Sequence, residues 1–327
     1  MFKMFRVDKI DKNVIYELSK NARLSYKQIA RNINSKKETV AYHINKLIAE
    51  GIITKFVPVF SLSRLGIFSS KIYLRLSGLN KEKEEKMYRY LLSNKKIVWV
   101  AKSVGRWDLL LGVYATNILD FSKIKEEILS KLSDNIVDYD ITHIEDGLVF
   151  NRDYLSDKNV DYRKEFIFGG CAGKEKLKEI EFKIIQHIKN NGRFNILDIA
   201  NHLRIDPKTF INKIKELQKR GILQGFTLFL NLKKIGFQLY KLCVYLQNHN
   251  EKKIKNLISF LKNNRQTIHL IKSLGSWELE IEIESGDSKE IYDYIAELKN
   301  TFPNMIKQVD LAIVTEELKL EFFPEKL

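Results

Sequence analysis

The sequence predicts an α+β fold in which a winged helix-turn-helix followed by a ferredoxin-like (βαββαβ) domain occurs twice. Three observations support this. Residues 25–47 have the pattern of two short helices joined by a tight turn, and residues 195–217 overlay them without a gap at an offset of 170. After each run the apolar residues change from helical spacing to alternation. The order that follows, strand-helix-strand-strand-helix-strand, is typical of the split βαβ arrangement.

The 327 residues divide into five predicted segments. These are a winged helix-turn-helix (1–60), a ferredoxin-like domain (61–150), a linker with room for one added strand (151–173), a second winged helix-turn-helix (174–230) and a second ferredoxin-like domain (231–327). No long uncharged apolar run is present, and the first residues are too few and too charged for a signal peptide. We expect a cytoplasmic protein with no membrane partner.

Positive charge is concentrated in the two predicted winged helix-turn-helix domains, which we call the heads. The net charge of the chain is +15. Residues 1–60 carry 12 Lys/Arg against 5 Asp/Glu, and residues 174–230 carry 12 against 6, so the rest of the chain is almost neutral. Such concentration is the electrostatic footprint of a surface that binds a polyanion. The expected partner is double-stranded DNA, and the alternative is a solvated surface that contacts protein.

Capping residues predict where the first two helices begin. Asp8 stands three residues before a second aspartate, and Ser25 stands three residues before Gln28, which is the spacing of a capping box. Ala30 and Ala200 are small at the position where two helices of this motif cross closely.

The third helices begin differently in the two copies. In the second copy Asp206 is a good N-cap and Pro207 suits the first helical position. Lysines occupy those positions in the first copy, so the cap is placed one residue earlier, at Ser35, with Glu38 completing the box. Gly51 and Gly221 then end the helices, and the β-rich residues that follow are expected to form a wing hairpin in each head.

Each third helix is predicted to turn a polar face toward DNA. Cations reach phosphates, whereas Asn45 and Asn212 suit adenine edges and Tyr42 suits a phosphate or a thymine methyl group. The residues expected to contact DNA are Lys36, Lys37, Tyr42, His43, Asn45, Lys46, Lys208, Asn212, Lys213 and Lys215.

In the first ferredoxin-like domain, alternation predicts strands at 68–76, 97–104, 108–114 and 136–144, with helices at 81–93 and 119–132. The second copy repeats the pattern.

The order of these elements resembles the Lrp/AsnC (feast/famine) family of transcription regulators. The resemblance covers nearly the whole chain, twice. It is carried by Ile10-Asp11, Arg23-Leu24-Ser25-Tyr26, Ile29-Ala30, Thr39-Val40, Leu47, Gly51-Ile52-Ile53, Gly66 and Gly105-Arg106-Trp107-Asp108.

What the resemblance implies is DNA binding, pairing through the second domain, and sensing of a small effector such as an amino acid. The implied effector-binding residues are Gly105, Trp107, Asp108, Gly275, Trp277 and Glu278. The family usually has arginines after the Thr-Val pair, where this chain has Ala41-Tyr42-His43 and Ile211-Asn212-Lys213. We therefore expect phosphate contacts rather than base contacts. The tandem arrangement indicates an intramolecular pseudo-dimer, a homodimer, or both.

The alternative function is enzymatic, because sirohaem decarboxylases of the haem pathway look like Lrp/AsnC proteins. His143 and His269 are the candidates for such a site, but neither has a histidine at the matching position of the other copy. No Ser-His-Asp order, phosphate loop or Cys/His ligand spacing is present. No catalytic residue, metal ligand or cofactor is predicted, and we do not expect an enzyme.

Two further features of the sequence are a row of glutamates and a pair of cysteines. Glu278, Glu280, Glu282 and Glu284 alternate on one predicted strand, which favours a solvated sheet face, with a cation or amine site as the alternative. That face would pack only if Lys241 or Lys272 paired with it, so no symmetric apolar pairing is expected there. Cys171 and Cys243 are predicted to be free thiols.

Overall fold

The chain folds into two copies of a three-helix head and an α/β domain, which confirms the predicted fold class. The computed structural model describes residues 5–157, 163, 165–170, 173 and 175–325, so Cys171 lies outside the described residues. The first copy comprises α1 (Lys9–Lys20), α2 (Tyr26–Asn32), α3 (Lys37–Ala49), β1 (Ile53–Phe60), β2 (Phe68–Leu76), α4 (Lys81–Ser93), β3 (Ile97–Gly105), β4 (Leu109–Ala115), α5 (Ile118–Lys131) and β5 (Ile136–Phe150).

The second copy repeats these elements after one added strand. The added strand, β6, occupies the room left in the linker and pairs with the end of β5. The remaining elements are β6 (Glu165–Gly169), α6 (Glu179–Ile188), α7 (Ile196–Leu203), α8 (Pro207–Lys219), β7 (Leu223–Leu230), β8 (Gln238–Leu246), α9 (Glu251–Asn263), β9 (Thr267–Gly275), β10 (Leu279–Ser285), α10 (Ser288–Thr301) and β11 (Ile306–Leu320).

Helix starts follow the predicted caps with one exception. Asp8 and Ser25 form capping boxes, and Asp206 caps α8 with Pro207 at the first position. The predicted cap at Ser35 is wrong: the residue at the start of α3 is Lys36, and its side chain makes no capping hydrogen bond. The lysine therefore stays free to project from the start of the helix.

A wing hairpin was expected within each head, but the wing strands do not form one. Instead, β1 pairs antiparallel with β7 of the other copy, with Val57 opposite Thr227. These two residues are 170 positions apart, so the centre of the ribbon lies on an approximate two-fold axis that relates the copies. The wing prediction failed because an alternating strand does not reveal which edge it will meet.

The same two-fold relation closes the sheets of the two copies into one barrel. Its strands follow the order β2-β4-β3-β11-β8-β10-β9-β5, and β5 returns to β2. Thr142 on β5 lies opposite Gly275 on β9, and Ala312 on β11 lies opposite Gly105 on β3, which are repeat-matched pairs. Closure leaves no free edge around the barrel. It also explains why β5 extends six residues beyond its prediction.

The helices cover the outside of the barrel. Apolar residues of α4 and α5 pack on the first copy's strands and those of α9 and α10 on the second copy's strands. A separate cluster fills one part of the interior, and each head has its own core that includes residues from the other copy's wing.

The heads are joined by two reciprocal arginine contacts. Arg23 Nη1 donates to the carbonyl oxygens of Gly192 and Phe194 at 3.1 and 3.2 Å, and Arg193 Nη1 donates to those of Ala22 and Leu24 at 2.6 and 3.1 Å. Burial lowers the pKa of both guanidinium groups. Because the contacts are matched across the axis, they fix the two heads in one relative orientation.

We expect Gly275→Ala to lower the free energy of unfolding by about 2 kcal/mol or more. Gly275 has φ +153, and a Cβ there would lie 2.2 Å from the carbonyl oxygen of Ile141 on the paired strand. The matched control is Gly66→Ala, because Gly66 also has a positive φ (+77) but its Cβ would lie 3.6 Å from the nearest atom. That change should cost about 1 kcal/mol. Urea unfolding measures both, and an equal loss would contradict the importance of the close strand approach.

Candidate nucleic-acid interface and central cavity

The first head exposes four of the six residues predicted to contact DNA. Lys36, Lys37, Tyr42 and Asn45 are exposed on α3, with the Tyr42 side chain 64% accessible. The apolar face of the helix is buried as expected from its helical spacing. A cationic N-terminal end and a polar outer face are therefore available to a partner.

The outward orientation predicted for His43 is wrong. His43 is buried, and its Nδ1 lies 2.6 Å from Oδ1 of Asp11 on α1. Lys46 Nζ lies 3.3 Å from the other oxygen of Asp11, so this cation is partly engaged within the head. Sequence analysis missed the pairing because Asp11 is 32 residues away and was assigned only to the helix cap.

Asp8, Asp11 and His43 form a group whose potential ligand atoms all lie within 4.8 Å of one another. Both carboxylate oxygens of Asp11, one of Asp8 and the Nδ1 atom of His43 already have protein partners. Asp8 Oδ1 accepts from the backbone of Asp11, and Asp11 accepts from the backbone of Asp8, from Lys46 and from the histidine. The group is therefore fully accounted for as a helix cap tied to α3.

The second head exposes three of its four predicted contact residues. Lys208, Asn212 and Lys215 are exposed on α8. Lys213 is mostly covered, with a side chain 17% accessible, and its ammonium lies 2.6 Å from Glu216 Oε2. An exposed ion pair of this type contributes little stability, but it keeps Lys213 along the helix surface.

Both heads place a residue in the left-handed region at the turn between the second and third helices. Asn34 has φ 53 and Arg204, its repeat match, has φ 54. Asparagine tolerates this conformation, whereas arginine is strained in it. Arg204 is exposed beside the start of α8. It was missed in the sequence, although its alignment with Asn34 at a tight turn was the available signal.

The residues implied to bind an effector lie in the barrel interior and at the seams where strands of the two copies pair. Trp107 and Trp277 are buried there with ring centroids 5.0 Å apart, and each packs on Tyr73. Asp108 and Glu278 each accept a hydrogen bond from the backbone, at 2.8 and 2.7 Å.

Gly105 and Gly275 are the points where strands of the two copies approach most closely. In the structure all six of these residues hold the fold together, and their effector role stays a prediction.

The glutamates of β10 are not on a solvated sheet face, so that expectation is wrong. They point into the barrel: Glu280, Glu282 and Glu284 are all buried. Lys241 pairs with the first two, as the sequence left open, and Lys71, its repeat match, lies 2.5 Å from Glu280. The carboxylates are dry but paired, so the interior is not a symmetric apolar contact.

The other lysine considered for this role, Lys272, pairs with Glu145 at the surface.

The two buried lysines determine the protonation of this network. Burial alone would raise the pKa of Glu280, but the ammonium groups of Lys241 and Lys71 outweigh it and lower the pKa to about 2. The pKa of Glu282 is also held well below its usual value, mainly by Lys241 and by His269, whose Nδ1 lies 2.6 Å away. Both carboxylates are therefore ionised at neutral pH.

A cavity of about 280 Å³ lies between the mouth of the barrel and the wing ribbon formed by β1 and β7. Its floor includes Lys71 and Glu282, and its roof is made of wing residues. The side chains around it are mainly apolar and aromatic, among them Val57, Val59, Phe60, Trp99, Tyr114, Leu228, Phe229 and Phe322. The cavity thus touches both the barrel and the strands that follow the third helices.

Arg152 connects the cavity wall to the first head. Its guanidinium donates to both carboxylate oxygens of Glu284, at 2.8 and 2.9 Å, and to the carbonyl oxygen of Leu228 on the wing at 3.2 Å. Its backbone N–H donates to the hydroxyl of Ser19 on α1. A bidentate, buried pair of this kind holds one geometry. Arg152 therefore links β10 to the wing and to the first head.

The comparisons with known proteins match this architecture. The family described as winged helix-turn-helix DNA-binding matches residues 7–54 and 177–224. An uncharacterised HTH-type transcriptional regulator of Pyrococcus horikoshii is 32% identical over 123 residues, which is 36% of this chain and 79% of that protein. Because that relative covers only one of the two repeats, this chain corresponds to two such units.

The chain belongs to the HTH-type transcriptional regulators, and it contains the winged helix-turn-helix twice.

One solved structure shows the same fold over nearly the whole chain. A siroheme decarboxylase, NirDL, has a TM-score of 0.62 and 14% identity, covering 96% of this chain and 93% of that chain. An AsnC family transcriptional regulator from Agrobacterium tumefaciens covers 46% of this chain and 96% of its own, with 12% identity and a TM-score of 0.39. Among the described residues, no helix combines the length and apolar character needed to span a bilayer.

Glu280→Gln should destabilise the protein by about 3 kcal/mol near pH 7, since it leaves two buried ammonium groups with one carboxylate fewer. The pKa of Glu280 is lower in the folded protein than its usual 4.5, so its contribution is present above that pH and is lost as the pH falls toward about 2. The variant should therefore lose less stability on acidification. Urea unfolding near pH 7 and about pH 3 measures this. The control is Glu297→Gln, an exposed residue on α10, and equal behaviour of the two variants would contradict the prediction.

Arg204→Gly should raise the free energy of unfolding by about 1 kcal/mol, because glycine adopts the left-handed turn without strain. The matched control is Asn34→Gly, which should change stability less because asparagine already tolerates that conformation. Thermal unfolding of both variants measures the difference. Identical shifts would show that the arginine backbone is not strained.

Proposed function

We propose that this chain is a sequence-specific DNA-binding transcription regulator in which one chain presents both DNA-binding heads. The observation that carries the proposal is the two-fold relation between the heads, defined by Val57 opposite Thr227 in the wing ribbon. In two-subunit regulators such symmetry matches two half-sites of a palindromic operator. Here the covalent duplication supplies it, so a monomeric chain is sufficient for binding.

The exposed cations support this function. Lys36 and Lys37 lie at the start of α3, and Lys208 and Lys215 lie on α8. All four are exposed to solvent. A helix N-terminal region with exposed lysines suits phosphate contact, and the exposed amides of Asn45 and Asn212 suit base edges. A protein-binding surface would not require the same charge on both heads. The DNA-binding role also places the chain in the cytoplasm.

The contacts made by the candidate histidines favour a binding protein over an enzyme. His143 Nδ1 lies 2.6 Å from the Ser70 hydroxyl, its ring packs against Phe68 and Phe121, and burial lowers its pKa. His269 is held by Glu282 on another strand. A substrate rich in carboxylates would also meet glutamates in the cavity. We therefore assign no catalytic residue.

The double variant Lys208→Ala/Lys215→Ala should weaken binding to genomic duplex fragments to a similar extent on all sequences. Each lost phosphate contact should reduce the salt slope of the binding constant by about 0.9. Fluorescence anisotropy at several salt concentrations measures both quantities, and a solution mass measurement establishes how many chains bind.

The control is Lys299→Ala, which removes an exposed lysine from α10 on the outside of the barrel. It should leave affinity and salt slope nearly unchanged. If the head variant and the control behave alike, α8 does not contact DNA phosphates and the proposed function is wrong for that head.

A further inference from the structure

The two sides of the central cavity differ in chemistry, although the copies that form it are related by a two-fold axis. Strand positions that match at an offset of 170 face each other across it, and they differ in chemical type. The first copy contributes apolar or small side chains where the second contributes charged ones. The matched pairs are Trp99 and His269, Gly112 and Glu282, and Tyr114 and Glu284. In a fourth pair the order is reversed, because the first copy has Arg152 where the second has Phe322.

Most charged groups at the cavity already have partners. Lys71 and Lys241 are bound by Glu280 and Glu282, and Arg152 is bound by Glu284. These contacts satisfy the cations of the floor and wall. An anionic ligand would therefore have to displace a buried carboxylate from its cation, which is costly.

Glu317 on β11 is the exception. Trp99 Nε1 donates to its Oε1 at 3.0 Å, and no other side-chain donor to this carboxylate is found among the described residues. Glu317 is exposed to solvent and lines the cavity. Desolvation by the surrounding protein raises the pKa of its carboxyl group, the carboxylates of Glu282 and Glu284 add to this, and Trp99 and His269 oppose it. The carboxylates that line the cavity are those of Glu282, Glu284, Glu317 and Glu321, and Lys71, Arg152 and the imidazole of His269 line it as well.

The opposite side of the axis shows why the open space lies next to Glu317. Its repeat match is Gly147, where the ring of Phe168 comes within 2.3 Å of the position a Cβ would take. The phenylalanine of β6 thus fills that side. On the side of Glu317, the cavity lies next to the carboxylate.

We propose that the cavity binds a small amphiphilic amine, with its ammonium group on Glu317 and its apolar body against Trp99 and Phe229. An ammonium group would supply the charge that balances the carboxylate of Glu317. The Trp99 ring already has the ammonium groups of Lys71 and Lys241 at 5.7 and 5.5 Å from its centroid, so it would contribute apolar contact to the ligand. A cavity of about 150 Å³ holds benzene, so one of 280 Å³ holds a ring with a short chain.

The ligand would lie against the wing ribbon, which adjoins both third helices. The wing residues that line the cavity are Val57 and Val59 of β1 and Leu228 of β7. Arg152 donates a hydrogen bond to the carbonyl oxygen of Leu228 and also binds Glu284, so it connects β7 to β10. The inference deepens the proposed function by naming the class of effector. Ligand binding itself is tested without DNA, so the two proposals can fail separately.

The test is calorimetric titration of the full chain with three probes of similar size, 2-phenylethylamine, 2-phenylethanol and phenylacetate. The amine should bind at least about tenfold more tightly than the alcohol, which corresponds to about 1.4 kcal/mol, and phenylacetate should bind more weakly than either. In Glu317→Gln the preference for the amine should disappear while the alcohol still binds. Far-UV circular dichroism confirms that the variant is folded.

The matched control is Glu316→Gln, which changes the adjacent residue, 54% accessible and 3.7 Å from Lys102. It should keep the full preference for the amine. The proposal is overturned if amine and alcohol bind equally, if the preference survives Glu317→Gln, if phenylacetate binds best, or if no probe binds at about ten millimolar. A chain that binds the amine but not DNA would overturn only the proposed function.

Discussion

Antiparallel pairing between strands of the two copies is the constraint on which the rest of the structure depends. It occurs at the wing ribbon, where Val57 lies opposite Thr227, and at both seams of the barrel. Each pairing satisfies backbone groups that would otherwise form exposed sheet edges. One approximate two-fold axis relates them, since it passes through the wing ribbon and exchanges the two seams of the barrel. The position of each head is therefore determined by the barrel and not by a flexible linker. The arginine contacts between the heads then remove the remaining freedom.

The buried charges of the barrel interior form a network that draws on both copies: Lys241 and its two glutamates come from the second copy, and Lys71 comes from the first. Lys71 belongs to the first copy and Glu280 to the second, so this ion pair spans the seam. Separating the copies would leave Lys71 without its carboxylate partners or would expose the interior to water, and either outcome is unfavourable. The network therefore makes the two α/β domains mutually dependent. The paired tryptophans at the other end of the interior add apolar contact across the same seam.

Local features of this chain were predictable because they depend on near neighbours in sequence. The caps at Asp8 and Ser25 and the helix of residues 81–93 follow from short spacings. The partner of β1 was not predictable, since alternation describes a strand but not the edge that it meets. The exposure of Tyr42 and Asn45 followed from helical period, whereas the burial of His43 depended on Asp11, a residue on another helix.

The burial of the glutamates was the largest error, because alternating carboxylates look the same on a solvated face and beside buried cations. A signal was present in Lys71 and Lys241, which occur at matched positions within apolar strands. In a symmetric homodimer, each glutamate of this row would face its own copy near the axis, and like charges would accumulate. Duplication within one chain removes that restriction, because Leu110 can stand where the other copy has Glu280. The asymmetry of the cavity is thus a direct consequence of joining the two copies, and a site with one charged and one aromatic wall could not form on the axis of two identical chains.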